Sequence, residues 1–139
     1  MAINPLVMTY DPKKVIITLG GVPISGYADG TFVQIDPNGD SFTKKVGADG
    51  EVVRSLSNDN THTVQITLLQ TSLSNIYLRS VMKADRLTGL GMLPLSFTDL
   101  STMEVKFWPQ AWVSVEPGTG RAKEDTDVQW TLHTGQEAA

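Results

Sequence analysis

Thr43-Lys44-Lys45-Val46-Gly47-Ala48-Asp49-Gly50-Glu51-Val52-Val53-Arg54-Ser55 sets the organisation of this chain. Two short extended runs, each carrying cations, flank a Gly-Ala-Asp-Gly turn. Asp-Gly between extended runs is a strong hairpin signal, because glycine accepts positive φ without steric cost. The runs have no clean apolar face that one domain's own core could bury, and a lone two-stranded hairpin is marginal in water. The stretch therefore calls for a partner. Another copy of the same chain is the working expectation, with the rest of the molecule as the platform.

The hairpin sits inside a polar, glycine-punctuated insertion, 36–61, opened by Asp36-Pro37-Asn38-Gly39-Asp40 and closed by Asn58-Asp59-Asn60. So long a stretch with few core residues marks a functional loop. Upstream, Val15 to Leu19 reads as a strand rich in β-branched residues and stopped by Gly20-Gly21. Val22-Pro23-Ile24 continues it briefly, and Pro23 confines that piece to a sheet edge or a strand start. Thr31 to Ile35 is a second strand. Residues 1–12, with Pro5 and Pro12 and no period, read as an extended N-terminal arm, leaving 13–139 as one domain.

Downstream, His62 to Leu68 alternates, with Val64, Ile66 and Leu68 inward and Thr63, Gln65 and Thr67 outward. A helix is expected from Ser72 to Leu87, capped by Ser72 or Ser74. Leu73, Ile76, Tyr77, Val81 and Ala84 would form its apolar stripe, with Arg79, Lys83 and Arg86 as a basic stripe beside it. Pro94 to Phe97 and Met103 to Phe107 flank a turn at Asp99-Leu100-Ser101. Ala111 to Val115 follows Pro109 as the next run, and Val128 to His133 alternates strictly. Seven to nine strands and one helix predict a mainly β protein, a β-sandwich or distorted barrel with a helix packed on it and a long extended hairpin loop.

Composition removes most chemistry. The 139 residues hold 11 basic and 15 acidic side chains for a net charge of −4, which argues against a dedicated phosphate-backbone binder. With no cysteine there is no disulfide, thiolate nucleophile or cysteine metal site. Met1-Ala2-Ile3-Asn4-Pro5 lacks the basic and apolar regions of a signal peptide, and no run approaches the ~18 apolar residues of a membrane span. His62 and His133 fall on polar strand faces and read as solvated, so no metal site is expected. Asp36-Pro37-Asn38-Gly39-Asp40 fails as a calcium loop, since Ser41 and Gly47 stand where glycine and glutamate are needed. Nucleophile elbows and phosphate-binding glycine motifs are missing too, so neither a cofactor nor an enzymatic activity is expected. Trp108, Trp112 and Trp130 read as core or interface, although Trp108 or Trp112 would serve a carbohydrate-binding β-sandwich.

Two strand faces stand out. Thr63, Gln65 and Thr67 on one, and Gln129, Thr131 and His133 on another, suit a water-facing wall. Such a wall would let nucleic acid pass without adhering, because adhesion to phosphate rests on lysine and arginine.

Phe42 to Ser55, then Thr67-Leu68-Leu69-Gln70-Thr71-Ser72 with Ser74-Asn75, resemble the tail tube (inner tube) proteins of contractile-tailed bacteriophages and phage-derived contractile particles. The resemblance extends to Ala84-Asp85-Arg86, Ala111-Trp112-Val113 and Trp130-Thr131-Leu132, and covers the chain from about residue 13. It implies a virion structural protein whose hexameric rings stack into a hollow tube, the conduit for DNA and the shaft for envelope penetration. It implies partners as well: further copies of the chain, a tail sheath protein, baseplate and tail terminator proteins, and a tape measure protein and genomic DNA within the lumen. The protein would be made in the host bacterial cytoplasm and reside in the virion tail.

On that resemblance the insertion becomes the connector between rings, with Lys44, Lys45, Asp49, Glu51 and Arg54 as contact candidates. Thr63, Gln65, Thr67, Gln129 and Thr131 become lumen candidates, and Arg79, Lys83 and Arg86 candidates for sheath or subunit contact. The alternatives are a tube-terminator or baseplate ring protein of the same virion, or the carbohydrate-binding module.

Overall fold

The computed structural model describes residue 7 and residues 9–138. Most of the expected N-terminal arm, residues 1–6 and 8, lies outside the described residues. Where the chain becomes describable it is already tied down. Asp11 caps a single 3₁₀ turn at Pro12–Lys14, and its own N–H donates to Ser101 Oγ at 3.1 Å.

Among the described residues nine strands and one α-helix follow: β1 (Val15–Leu19), β2 (Val22–Pro23), β3 (Val33–Pro37), β4 (Phe42–Val46), β5 (Val52–Leu56), β6 (His62–Leu69), α1 (Ser74–Thr88), β7 (Leu93–Asp99), β8 (Glu104–Val115) and β9 (Asp127–Thr134). Seven strands form one open antiparallel sheet in the order β2-β1-β7-β8-β9-β6-β3. β4 and β5 form a separate two-stranded sheet. The expected mainly β architecture with one helix and an extended hairpin is present, and its main sheet is not closed. The segment from Ile24 to Phe32 straps one side of the sheet to the other. Ile24 N–H donates to Ile17 at 2.9 Å, and Ala28 N–H to Thr67 at 3.1 Å.

The core is the inward phase of the strands. Ile17, Leu19, Val64, Ile66, Leu68, Leu95, Trp108, Trp130 and Leu132 are fully buried against Leu78 of the helix. Two tryptophans at zero exposure anchor it, each of a kind whose truncation to alanine costs about 3–5 kcal/mol.

Three local expectations are corrected. The two runs expected at Met103–Phe107 and Ala111–Val115 are one twelve-residue strand, β8, which starts at Glu104 and leaves Met103 in the preceding turn. Pro109 is accommodated because the β7–β8 register shifts between Leu93 and Leu95, so its missing N–H falls at the irregularity.

Neither serine caps α1 in the expected way. Residue Leu73 occupies the cap position in helical geometry. The serine hydroxyls reach Ser25: Ser72 Oγ donates to Ser25 O, and Ser74 Oγ accepts from Ser25 N–H at 3.0 Å, while Ser72 Oγ also accepts from Ser74 N–H at 3.2 Å. Gly26 makes this approach possible. Its φ is +78°, and a Cβ there would lie 2.5 Å from Ser72 Oγ.

The apolar stripe of the helix is also rotated from the one expected. Ser74, Asn75, Leu78 and Met82 are buried, while Leu73 and Ile76 are 80 % and 67 % exposed. Asn75 explains the rotation. Its Oδ1 accepts from Trp130 Nε1–H at 2.9 Å, and its Nδ2 donates to Leu69 O at 3.0 Å. A polar side chain thus occupies the inward face because the buried indole and a strand-end carbonyl need partners there.

Candidate assembly surfaces

The insertion folds as expected into a free-standing arm. β4 and β5 pair from Phe42↔Leu56 to Val46↔Val52, and all ten residues are exposed. The turn closes through Gly47 N–H to Glu51 O at 2.7 Å and Gly50 N–H to Gly47 O at 3.0 Å, with Gly50 at φ +90°.

Strand alternation divides the arm's side chains. One face carries Phe42, Val46, Val52 and Leu56 around the directly opposed cations Lys44 and Arg54. The other carries Thr43, Lys45, Val53 and Ser55. Lys44 and Lys45 are therefore separated, and Lys44 is brought to Arg54. Like charges directly across a ladder destabilise it. Arg54 partly offsets this by stacking over Phe42, 4.3 Å from guanidinium to ring centre. The carboxylates Asp49 and Glu51 sit at the turn, so the tip is acidic and the shaft cationic.

The arm's root is more elaborate than its composition suggests. Asn38 N–H donates to Thr61 O at 3.0 Å, Asn38 Nδ2 to Thr61 Oγ1 at 2.9 Å, and Thr63 Oγ1 to Asn38 Oδ1 at 2.8 Å. Asp59 accepts from both the amide and the hydroxyl of Thr61, and these two bonds hold its carboxyl below the ordinary value of 3.8. The C-terminal segment joins in. Gln136 Oε1 accepts from Asn60 N–H at 2.8 Å, and Glu137 N–H donates to Asn60 O at 3.1 Å. Apart from Thr63, proposed for a different surface, none of these residues was a sequence candidate. Asn38, Asp59 and Asn60 read locally as turn residues, and Gln136, the partner of Asn60, lies 76 positions away.

His62, expected on a polar face, is instead buried at 6 % exposure. It has the same strand parity as Val64, so its ring enters the core. There Nδ1 accepts from Trp108 Nε1–H at 3.2 Å, and Nε2 faces Glu137 Oε2 at 3.6 Å.

The lumen candidates form one surface. β6 and β9 pair Thr63↔His133, Gln65↔Thr131 and Thr67↔Gln129, and β3 adds Gln34 opposite Gln65 and Asp36 opposite Thr63. Two stretches 62 positions apart in sequence thus merge into one largely uncharged polar wall. Trp112 borders it, half-buried and edge-on to His133 at 6.5 Å between ring centres.

The basic stripe of α1 divides. Arg79 is half-buried, lying 3.4 Å from Glu116 and 5.8 Å from the Trp130 ring centre. Lys83 and Arg86 are exposed. Among the described residues no group of three or more His, Asp or Glu side chains is arranged to hold a metal ion. Among the same residues no helix is long and apolar enough to cross a membrane.

Comparison with known proteins gives consistent likenesses. Residues 14–138 match the family model described as the bacteriophage PhiTE tail tube protein. Structural protein ORF10 of Pseudomonas phage KPP10 is 26 % identical over 132 residues, covering 89 % of this chain and 76 % of that protein. Three cryo-EM structures share the fold. The anti-feeding prophage tube-terminating cap aligns at TM-score 0.60 and 14 % identity, covering 99 % of this chain and 93 % of that one. The sheath/tube terminator of the PVC extracellular contractile injection system, in the extended state, aligns at 0.63 and 8 %, covering 96 % and 97 %. A chain of the sheath-tube complex of the same system aligns at 0.60 and 9 %, covering 95 % and 91 %.

Proposed function

This chain belongs to the bacteriophage PhiTE tail tube protein family and is a structural protein of a phage tail; from that premise we propose that it builds the hollow inner tube of a contractile tail. Six copies close into a ring, and rings stack head to tail. The tube is the conduit for DNA and the shaft driven into the host envelope, sheathed outside and filled by a tape measure protein before DNA passes. The reading is non-enzymatic.

The observation that carries it is the arm. A two-stranded hairpin with every strand residue exposed and four large apolar residues on one face does not support itself in water. A contact that closes makes the ring, and a second that does not close makes the tube. The arm suits the second, with Lys44, Arg54, Lys45, Asp49 and Glu51 meeting the next ring. The wall of Thr63, Gln65, Thr67, Gln129 and Thr131 suits the lumen, because it presents hydrogen-bonding groups without the cations that retain phosphate. Lys83 and Arg86 suit contact with a sheath or a baseplate component. Arg79 is already engaged by Glu116 and serves less well.

A second reading is a tube terminator, favoured by the likeness to a tube-terminating cap and to a sheath/tube terminator. Electron microscopy of the purified protein separates the two. Long hollow tubes with six-fold end views are expected, whereas isolated rings that never stack would select the terminator. Deleting residues 46–53 should leave a folded subunit without long tubes, and normal tubes from that variant overturn the axial role of the arm.

A further inference from the structure

Beside the strap, an open groove of about 680 Å³ is lined by Ile16, Ile24, Tyr27 and Phe32, with Lys13 and Asp29 among its walls. It is apolar where the strap crosses the sheet. Ile16 is 42 % exposed, and burial pushes the Tyr27 hydroxyl up to about 12. We propose that this groove receives the β4–β5 arm of a second copy of the chain. The proposal rests on the tube reading and names the surface that the arm meets.

Three observations select that occupant. The first is position. Tyr27 to Phe32 lead into β3 at Val33, and the arm departs beyond its other end at Pro37. Five residues of strand separate groove from arm root by roughly 17 Å. The strands of the arm pack substantially only on each other, so the arm does not fold back over its own body. A socket at one end and a projection at the other form a heterologous contact that propagates in one direction.

The second is apolar matching. Phe42, Val46, Val52 and Leu56 are each about half or more exposed on a single face of the arm. The groove offers a mostly apolar concavity to receive them. The third is charge. The shaft of the arm carries Lys44 and Arg54 opposed on that same face, and its tip carries Asp49 and Glu51. The groove holds one carboxylate, Asp29, and one ammonium, Lys13. Asp29 can lie between the two shaft cations and relieve their repulsion, while Lys13 meets the acidic tip.

The natural absence of cysteine allows a direct test. Val46→Cys is introduced together with Ser25→Cys, a groove residue, and assemblies are oxidised and run without reductant. A ladder of covalent oligomers is expected, because a head-to-tail contact does not stop at the dimer. Each single-cysteine variant, and Val46→Cys paired with Leu87→Cys on exposed α1, should give none. Tubes intact by microscopy in which Val46→Cys joins Leu87→Cys but not Ser25→Cys overturn the groove and leave the tube reading standing. So does Ser25→Cys joining a different tail protein in assembled particles. Protein that is folded by circular dichroism but never assembles overturns both. Asp29→Lys should lower the cross-linked yield several-fold, and adding Lys44→Glu with Arg54→Glu should restore it. A folded triple variant with no recovery overturns the charge match.

Discussion

The indole N–H of Trp108 donates to Nδ1 of His62 at 3.2 Å, both side chains being buried, and this bond joins β8 to the start of β6 where the arm returns to the sheet. Accepting at Nδ1 places the ring hydrogen on Nε2, which faces the Glu137 carboxylate at 3.6 Å. Thr134 closes the cluster, its Oγ1 accepting from His62 N–H at 2.9 Å. The root of a surface arm is thus anchored in the core through one histidine.

His62→Phe keeps a ring of similar size but removes the acceptor. The stranded indole N–H should cost about 1–3 kcal/mol in urea unfolding. Adding Trp108→Phe should cost less in that background than it does alone, since the indole N–H it removes has already lost its partner. A double variant as unstable as the sum of the two singles would show that the pair contributes only volume.

Asn75 holds the first turn of α1 to two strands at once, through Trp130 Nε1–H and the carbonyls of Leu69 and Gln70. Asn75→Ala should cost at least about 2 kcal/mol, because it leaves a buried donor and two acceptors short of partners. Asn75→Asp should be no better, since it keeps the acceptor for Trp130 and loses both donated bonds. The thermal midpoint is the readout, at about 3–5 °C for each kcal/mol in a chain this size.

The sequence made some of this legible and hid the rest for identifiable reasons. The arm is local, since Asp49-Gly50 closes it, but its apolar face was missed: Phe42, Val46, Val52 and Leu56 come together only when the register pairs the two runs. The inward phase of β6 and β9 is equally local, because alternation is written into consecutive positions. That the two polar faces are one wall is not local, since it depends on Gln65 lying opposite Thr131. His62 and Asn75 mislead for a different reason. Both are polar residues on inward faces, hydrogen-bonded to buried indoles, and polarity alone sends such residues outward. The phase of α1 was lost with Asn75, and Arg79 moved from a free stripe to the edge of the core.

Met103 has a φ of +59°, the one positive value outside glycine among the described residues, and its side chain is 79 % exposed. Left-handed backbone costs a residue with a Cβ roughly 1–2 kcal/mol, while glycine gives back about half of that in unfolded-chain entropy. Met103→Gly should therefore stabilise the isolated subunit by about 0.5–1 kcal/mol. Chemical denaturation checks it, and a destabilised variant would mean the methionine side chain contributes packing that its exposure does not suggest.

Asp59 gives the arm root a pH dependence with a defined sign. Its carboxylate accepts from Thr61 Oγ1 at 2.6 Å and Thr61 N–H at 3.1 Å, and its folded value lies below the ordinary 3.8. A depressed carboxylate stabilises the fold fully above its unfolded value and loses that contribution as pH falls through the lower, folded one. The root should accordingly be tight at neutral pH and slacken only in acid below about 4. Carboxyl ¹³C titration by NMR is the direct measurement, and a midpoint for Asp59 at or above 3.8 in the unaltered protein sinks the idea. Thr61→Val should raise the midpoint towards the ordinary value, because it removes the hydroxyl that contributes most and leaves the amide. The same substitution also takes away the acceptor for Asn38 Nδ2, so amide exchange at Asn38 and Thr61 should quicken together while exchange in β8 stays unchanged.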